Sequence, residues 1–259
     1  MISIVTATLN AAHALERNLS AMALQRADFE HIIQDGGSTD GTRDLVERYR
    51  SRYHLQFYQE PDSGIYDAVA KGMSKANGDI LGWVGADDFY MPWTLATVQS
   101  IFDSMPNVHW ITGIPAWYDE RNVVGTTGTI APTWPRWAIR HGLASTRLFG
   151  FPQTESMFWR RWLWEKAEPR KLLPCYRYAG DYHLWRRFAQ YAPLRTVNSV
   201  LACFTISEDQ ASSKFKAVYL DECGLARGPF HPSCPKRMVR HVLNFLLSPL
   251  VIRANTHIR

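Results

Sequence analysis

Two hydrophobic spacings alternate from Met1 to Met91. Ile2 to Ala7 is a β-rich run, and Thr6-Ala7-Thr8-Leu9-Asn10 is the polar loop that follows it. From Ala11 to Ala27, Leu15, Leu19 and Met22 recur at steps of four and three, the stripe of an amphipathic helix. Phe29 to Gln34 is a second apolar strand, closed by the turn-forming run DGGSTDGT (Asp35 to Thr42). Asp40 or Thr42 can cap the next helix, which buries Leu45, Val46 and Tyr49. Leu55 to Tyr58 is a third strand. Ile65 to Asn77 is a helix with Ala68, Val69, Gly72 and Met73 turned inward, and Gly78 stops it. Strand and helix alternating in this way predict a parallel, doubly wound α/β sheet.

The fourth strand, Ile80 to Val84, ends in Gly85-Ala86 and the adjacent acids Asp87 and Asp88. Ligands of open α/β sheets bind beyond the carboxyl ends of the strands. Acids at such a rim suit a hard divalent cation, because Mg²⁺ commonly joins one or two carboxylates to substrate phosphates. A solvated Asp-Asp turn, or a helix cap before Pro92, fits the same spacing. No GxGxxG follows the first strand and no GxxxxGK[ST] occurs, so the dinucleotide and P-loop readings lack their residues.

Beyond Pro92 the pattern predicts a helix over Thr94 to Phe102 and a strand over His109 to Gly113. Ala116 to Thr133 reads as a hairpin with its return near Gly125 to Gly128. Trp134 to Phe151, carrying Trp137, Arg136 and Arg140, reads either as an acceptor-side loop and helix or as a surface helix with a buried Trp. Ala179 to Ala189 places Asp181 just before a helix with Leu184, Trp185 and Phe188 inside, and Leu194 to Thr205 gives one or two further strands.

Composition adds an asymmetry. The 259 residues carry a net charge of +5. Met1 to Pro135 holds 9 Lys+Arg against 16 Asp+Glu (9 − 16 = −7), and Arg136 to Arg259 holds 20 against 8 (20 − 8 = +12). The basic half suits an anionic partner such as a phospholipid or a diphosphate-linked acceptor, or is simply a solvated face. No nucleic-acid module is recognisable. Cys175, Cys203, Cys223 and Cys234 are widely spaced, without a CxxC pair, as reduced structural thiols would be. The N-terminus enters a strand directly, with no signal-like region, and no run is long enough to span a membrane, so a cytoplasmic protein is expected. The tail breaks at Pro229, Pro232 and Pro235. Lys236, Arg237 and Arg240 then precede the apolar run Val242 to Ile252. That run reads either as a peripheral contact with the inner face of the membrane or as a helix docked on the enzyme or on a second copy.

VTATLN, DGGSTDGT, SGIYDAVAKGMSKANGDILGW and ADDFY, in this order, resemble glycosyltransferase family 2, in its bacterial polysaccharide-type enzymes. Gln153 to Arg161 and AGDYHLWRRFA extend the likeness to about Ser207. The chain departs from the family at Gly85, Ala70 and Gly180, where an acid, an Asn and an acid often stand. The resemblance implies a GT-A fold, with a mostly parallel central sheet flanked by helices. Residues 1–210 would form the catalytic domain, with 1–105 as the nucleotide-sugar half and 106–210 as the acceptor half. Residues 211–259 would form a helical tail.

The resemblance also implies transfer of a sugar from a nucleotide-sugar donor, UDP in the first instance, to a glycan or lipid-linked hydroxyl. Asp87 and Asp88 would hold Mn²⁺ or Mg²⁺ and the diphosphate. Asp35 would pair with the nucleobase, and Thr6, Thr8 and Asn10 would line the same pocket. Asp67 would touch the ribose or donor sugar. Asp181 would be the base of a single inverting displacement. Two rivals remain. One is a sugar nucleotidyltransferase, which lacks its Gly-rich basic loop here. The other is a binding relative that has lost catalysis at Gly85, Ala70 and Gly180.

Overall fold

In the first strand, β1 (Ile2–Thr8), only Ala7 is more than marginally exposed. A central parallel strand is buried in this way because helices cover both faces of its sheet. The computed structural model describes residues 1–119, 124–126, 131–144, 150–206, 214–224 and 251–252. Parallel to β1 run β2 (Phe29–Asp35) and β4 (Ile80–Trp83), with β3 (Leu55–Gln59) beyond β2. The register pairs Thr8 with Asp35 and Asp35 with Gln59, so the polar ends of three strands share one rim.

Helices α1 (Ala12–Ala23), α2 (Thr42–Tyr49) and α3 (Ile65–Lys75) supply the crossovers. α3 lies close on β1: a Cβ at Gly72 would sit 2.5 Å from Val5 Cγ1, so only glycine allows that approach. α1 ends before Ala27. Gln25 then folds back, donating its amide to Met91 O and accepting from Leu95 N–H, which ties the helix end to the following half.

That half contains β5 (Phe89–Tyr90), α4 (Thr94–Ser104), β6 (Trp110–Thr112), β7 (Ala116–Tyr118), β8 (Val124–Thr126) and α5 (Arg136–Arg140). After these come β9 (Phe158–Arg160), α6 (Arg161–Ala167), α7 (Pro169–Leu172), α8 (Gly180–Phe188), β10 (Arg195–Val197) and β11 (Ala202–Thr205). The eight-stranded sheet has the order β12-β10-β6-β9-β4-β1-β2-β3, where β12 is Val251–Ile252. β9 runs antiparallel between β4 and β6, so the sheet is mostly rather than wholly parallel. A smaller sheet, β5-β11-β7-β8, packs beside it. In it β7 pairs with β8 with Trp117 opposite Gly125, so the hairpin returns ahead of Gly125 and not at it. A side chain at 125 would collide with the Trp117 ring, which explains the glycine there.

The Trp-rich half builds a core rather than a ring-stacking surface. Trp110, Trp159, Trp185 and Phe188 are essentially inaccessible and touch one another, with Trp110–Trp185 centroids 6.0 Å apart and Trp159–Trp185 5.5 Å apart. Such pairs add about 0.5–1.5 kcal/mol each beyond burial. This cluster fixes α8 against the sheet. Trp134 is also buried, whereas Trp137 is exposed.

The tail segment α9 (Lys216–Glu222) lies on the start of α8, and β12 pairs with β10. Lys236 to Pro249 and Cys234 fall outside the described residues. Cys175, Cys203 and Cys223 are free thiols.

Candidate active site

A cavity of about 900 Å³ opens at the rim where β1 and β4 end. Asn10 from the β1 loop, His13 and Arg17 from α1, Ile65 from α3, and Gly85 to Asp87 after β4 line it. Asn10 adopts φ 50°, in the left-handed region that Asn tolerates, and its Oδ1 accepts the Thr39 N–H at 3.0 Å. Its own N–H donates to Ser38 Oγ at 2.7 Å. The two polar loops are thereby locked together at the mouth.

The remaining residues expected in the nucleoside pocket stand behind this wall. Thr6 is fully buried, and its hydroxyl meets His31 Nε2 at 2.9 Å. Thr8 donates to Asp35 Oδ2 at 2.9 Å. Asp35 is fully buried and accepts four further bonds, from Gly37 N–H, Ser38 N–H, the Ser38 hydroxyl and Gln59 Nε2. Burial pushes its carboxyl up, but the Ser38, Gln59 and Gly37 donors outweigh this and hold it below the usual range. Both its oxygens accept bonds, and those from Gly37 and Ser38 shape the Gly36–Ser38 turn. Asp67 accepts from Lys71 Nζ at 2.8 Å and from Ser63 N–H at 2.9 Å, and these bonds lower its pKa. It staples the first turn of α3, and the cavity wall there is Ile65.

The acid pair divides. Asp87 lines the cavity, while Asp88 turns inward, its Oδ1 accepting Thr205 N–H at 2.8 Å. The Thr205 hydroxyl donates to Asp87 O, and Asn18 Nδ2 donates to Gly85 O and Asp88 O at 3.0 and 3.1 Å. A side chain at Gly85 would meet Asp88 Oδ2 at 2.6 Å and Asp87 Oδ1 at 2.9 Å, so the two carboxylates occupy the space an acid there would need.

Asp181 sits in the first turn of α8, partly buried among its neighbours. Thr154 Oγ1 donates to its Oδ2 at 2.9 Å, and Tyr182 N–H donates to Oδ1 at 2.7 Å. The Tyr66 hydroxyl lies 3.2 Å from Oδ1. Burial raises its pKa to about 6 against these donors, which favour the ionised form. Asp181 does not itself line the cavity. The Tyr66 ring connects the two, packing edge-on against the cavity residue Trp83 with centroids 5.8 Å apart.

Between the two acidic regions stands Glu155, which the sequence reading passed over. It is 4% exposed, and its Oε1 has no partner among the described residues. Burial, together with the charges of Asp87 and Asp181, pushes its pKa up to about 8. Burial raises Asp87 and Asp88 too, Asp88 further through the charges of Asp87 and Glu155. His183 points away from the site: its Nε2 meets Glu222 O at 2.9 Å and its ring stacks on Tyr176 at 3.9 Å.

The family model described as Glycosyl transferase family 2 matches residues 3–165. The chain belongs to glycosyltransferase family 2. A relative from Mycobacterium bovis, a PGL/p-HBAD biosynthesis glycosyltransferase, is 40% identical over 104 residues, covering 39% of this chain and 41% of the relative. A validoxylamine A glucosyltransferase from Streptomyces hygroscopicus is 30% identical over 127 residues, 47% of this chain and 30% of that one. The matches thus span well under half of these curated relatives. Among solved structures, Staphylococcus aureus TarS 1-349 in complex with UDP-GlcNAc superposes with a TM-score of 0.63 at 18% identity, covering 82% of this chain and 60% of that chain. The mannosyltransferase PcManGT from Pyrobaculum calidifontis, in complex with GDP-Man and Mn²⁺, gives 0.58 at 18% identity, with 95% and 69% covered. At that identity the likeness establishes the GT-A fold.

Proposed function

We propose that the protein transfers a glycosyl group from a nucleoside diphosphate sugar to a hydroxyl of a glycan or lipid-linked acceptor, inverting the anomeric carbon in one displacement. The observation that carries this reading is the Asp181 carboxyl. It is partly buried, aimed by donors on both oxygens, and brought to about 6, a value from which it is ionised at neutral pH and still basic enough to accept a proton. UDP is the carrier proposed first, as in the TarS complex.

The residues present fit a divalent cation in chemistry. Asp87 and Asp88 are oxygen donors whose carboxyls are destabilised by burial, and Glu155 leaves a buried oxygen unpartnered beside them. Among the described residues no three His, Cys, Asp or Glu side chains form a cage. One or two carboxylates with substrate phosphates is the usual Mg²⁺ arrangement. Asp87, on the cavity wall, would hold the ion, with Asp88 behind it. Such an ion neutralises charge developing on a leaving diphosphate. Asn10 and the Gly36–Ser38 turn, braced by Asp35 and Thr8, shape the nucleoside side, with Thr6 behind them on β1. Asp67 contributes by fixing the start of α3 beneath the donor. Asp181 takes the acceptor's proton as the hydroxyl attacks.

Among the described residues no helix is long and apolar enough to cross a membrane. A peripheral membrane contact or a second copy remains a proposal for the basic tail, tested by vesicle pelleting of a variant truncated before Arg237. For the reaction, Asp181→Asn should retain donor binding while losing transfer. Wild-type turnover in that variant would remove the base assignment.

A further inference from the structure

Gly180 begins α8 against the face of Tyr66. A Cβ built there would lie 2.9 Å from three atoms of the ring, Cδ1, Cδ2 and Cε2. The ring therefore fills the volume that any larger residue at 180 would claim. Trp83 buttresses it edge-on from the other side, and only 6% of Tyr66 is exposed. So held, the phenol oxygen lies 2.7 Å from Tyr178 O and 3.2 Å from Asp181 Oδ1. A phenol carries one hydrogen. The carbonyl and the carboxylate compete for it, and an ionised carboxylate, making the stronger charge-assisted bond, draws it over.

We propose that Tyr66 is a positioning residue for Asp181: the absent side chain at Gly180 admits its ring, and its hydroxyl orients the carboxylate through Oδ1 and favours its ionised form. The proposal rests on the reading of Asp181 as the base. With Tyr182 N–H and Tyr66 on Oδ1 and Thr154 on one side of Oδ2, a remaining lone pair of Oδ2 is left for the acceptor hydroxyl.

Other titratable groups face Asp181 from each element around it. Glu155 comes from the 3-10 turn Thr154–Ser156, and Tyr219 and Cys223 come from α9 and its end. Burial raises Tyr219 far above its ordinary value and Cys223 to about 12, so neither ionises near neutrality. Glu155 titrates higher than Asp181 and is common to the wild type and the variants below.

Tyr66→Phe keeps the ring and removes the hydroxyl. Carbon-13 NMR titration of aspartate-labelled protein, with Asp181→Asn to assign the resonance, reads the carboxyl without needing a substrate. Loss of a bond to the ionised form should raise the Asp181 midpoint by about half a pH unit or more. The acid limb of kcat/KM, followed by UDP release from the UDP-sugar turned over fastest, should move up equally, with kcat down about tenfold and donor KM unchanged. Gly180→Ala should displace the ring and reproduce the loss. The double variant should be no slower than the slower single, since both act on one contact.

An unmoved Asp181 midpoint in Tyr66→Phe overturns the proposal, as does full additivity in the double variant. Transfer surviving in Asp181→Asn overturns the base reading instead. An inactive Asp181→Asn beside an unshifted Tyr66→Phe condemns Tyr66 alone.

Discussion

The helix that carries Asp181 is held by a carboxylate from the tail, and removing that carboxylate tests how far the site depends on it. Glu222 accepts the backbone N–H groups of Arg177, Tyr178 and Ala179 at 2.9, 2.9 and 2.8 Å, the three residues that lead into α8. A hydrogen bond to a charged group contributes about 1.5–3 kcal/mol when well sheltered. Glu222 is half-buried, so water competes, and the three bonds together are worth about 2 kcal/mol. Glu222→Ala should then lower the melting temperature by roughly 4–8 °C for a chain of this size. Glu222→Gln, which keeps an acceptor oxygen, should lose less. Burial pushes the Glu222 carboxyl up, but the Tyr178, Arg177 and Ala179 donors outweigh it and hold its pKa below the ordinary glutamate value. The unfolded chain therefore binds the proton first as pH falls. The contribution is complete above about pH 4.5 and fades as pH drops through the folded value. Thermal unfolding from pH 3 to 8, with UDP release measured alongside, checks both sides. A melting point and kcat equal to wild type in Glu222→Ala at pH 7 would refute the clamp.

His31 is fully buried between Thr6 and Tyr53, and burial pushes its pKa down to about 3. The unfolded state binds the extra proton below about pH 6.5, so stability should fall by about 1 kcal/mol per pH unit on acidification from there. His31→Gln should flatten that slope in urea titrations. Gly85→Ala should weaken Mn²⁺-dependent donor binding roughly tenfold, about 1.4 kcal/mol, by pushing the Asp87 and Asp88 carboxylates apart. Calorimetry with unchanged affinity would show that the pair gives way freely. Glu155, raised to about 8, must take up a proton on folding above about pH 4.5. Glu155→Gln should therefore be more stable than wild type at pH 8, by about 4 kcal/mol, and no different at pH 4. An equal melting temperature at pH 8 would contradict the unpartnered, buried carboxyl.

The order of strands and helices through Asp88 could be read from the sequence because local signals there agree with the global fold. Val5, Ile32 and Leu81 lie in continuous apolar runs, and Leu15, Leu19 and Met22 hold a helical stripe. Where a pattern needed a partner distant in sequence, it could not be read. β9 is a three-residue strand whose antiparallel place between β4 and β6 depends on neighbours far earlier in the chain. Trp110, Trp159 and Trp185 could not be assigned to the core from sequence, since the same ring suits a core and a stacking surface. Gly125 looks like a turn residue in sequence, but its glycine clears the Trp117 ring across the strand pair.

The site was legible in residue type and much less so in role. Asp87 and Asp181 stand at strand and helix ends, where sequence can place an acid. Thr6 bonds His31 and Thr8 bonds Asp35 across β1 and β2, and a period-two pattern cannot distinguish bracing from binding. Glu155 carried no distinctive signal, standing among the polar Gln153, Thr154 and Ser156 that lead into β9. Its meaning came only from burial, and from Asp87 and Asp181 lying near enough to raise its pKa. A buried carboxyl without a partner destabilises the chain that keeps it. Glu155, Asp87 and Asp181 are raised together where the two halves meet, and Glu155 Oε1 has no partner among the described residues. Such a concentration of unfavourable charge is what a site looks like when it is shaped for a bound donor rather than for the stability of the free protein.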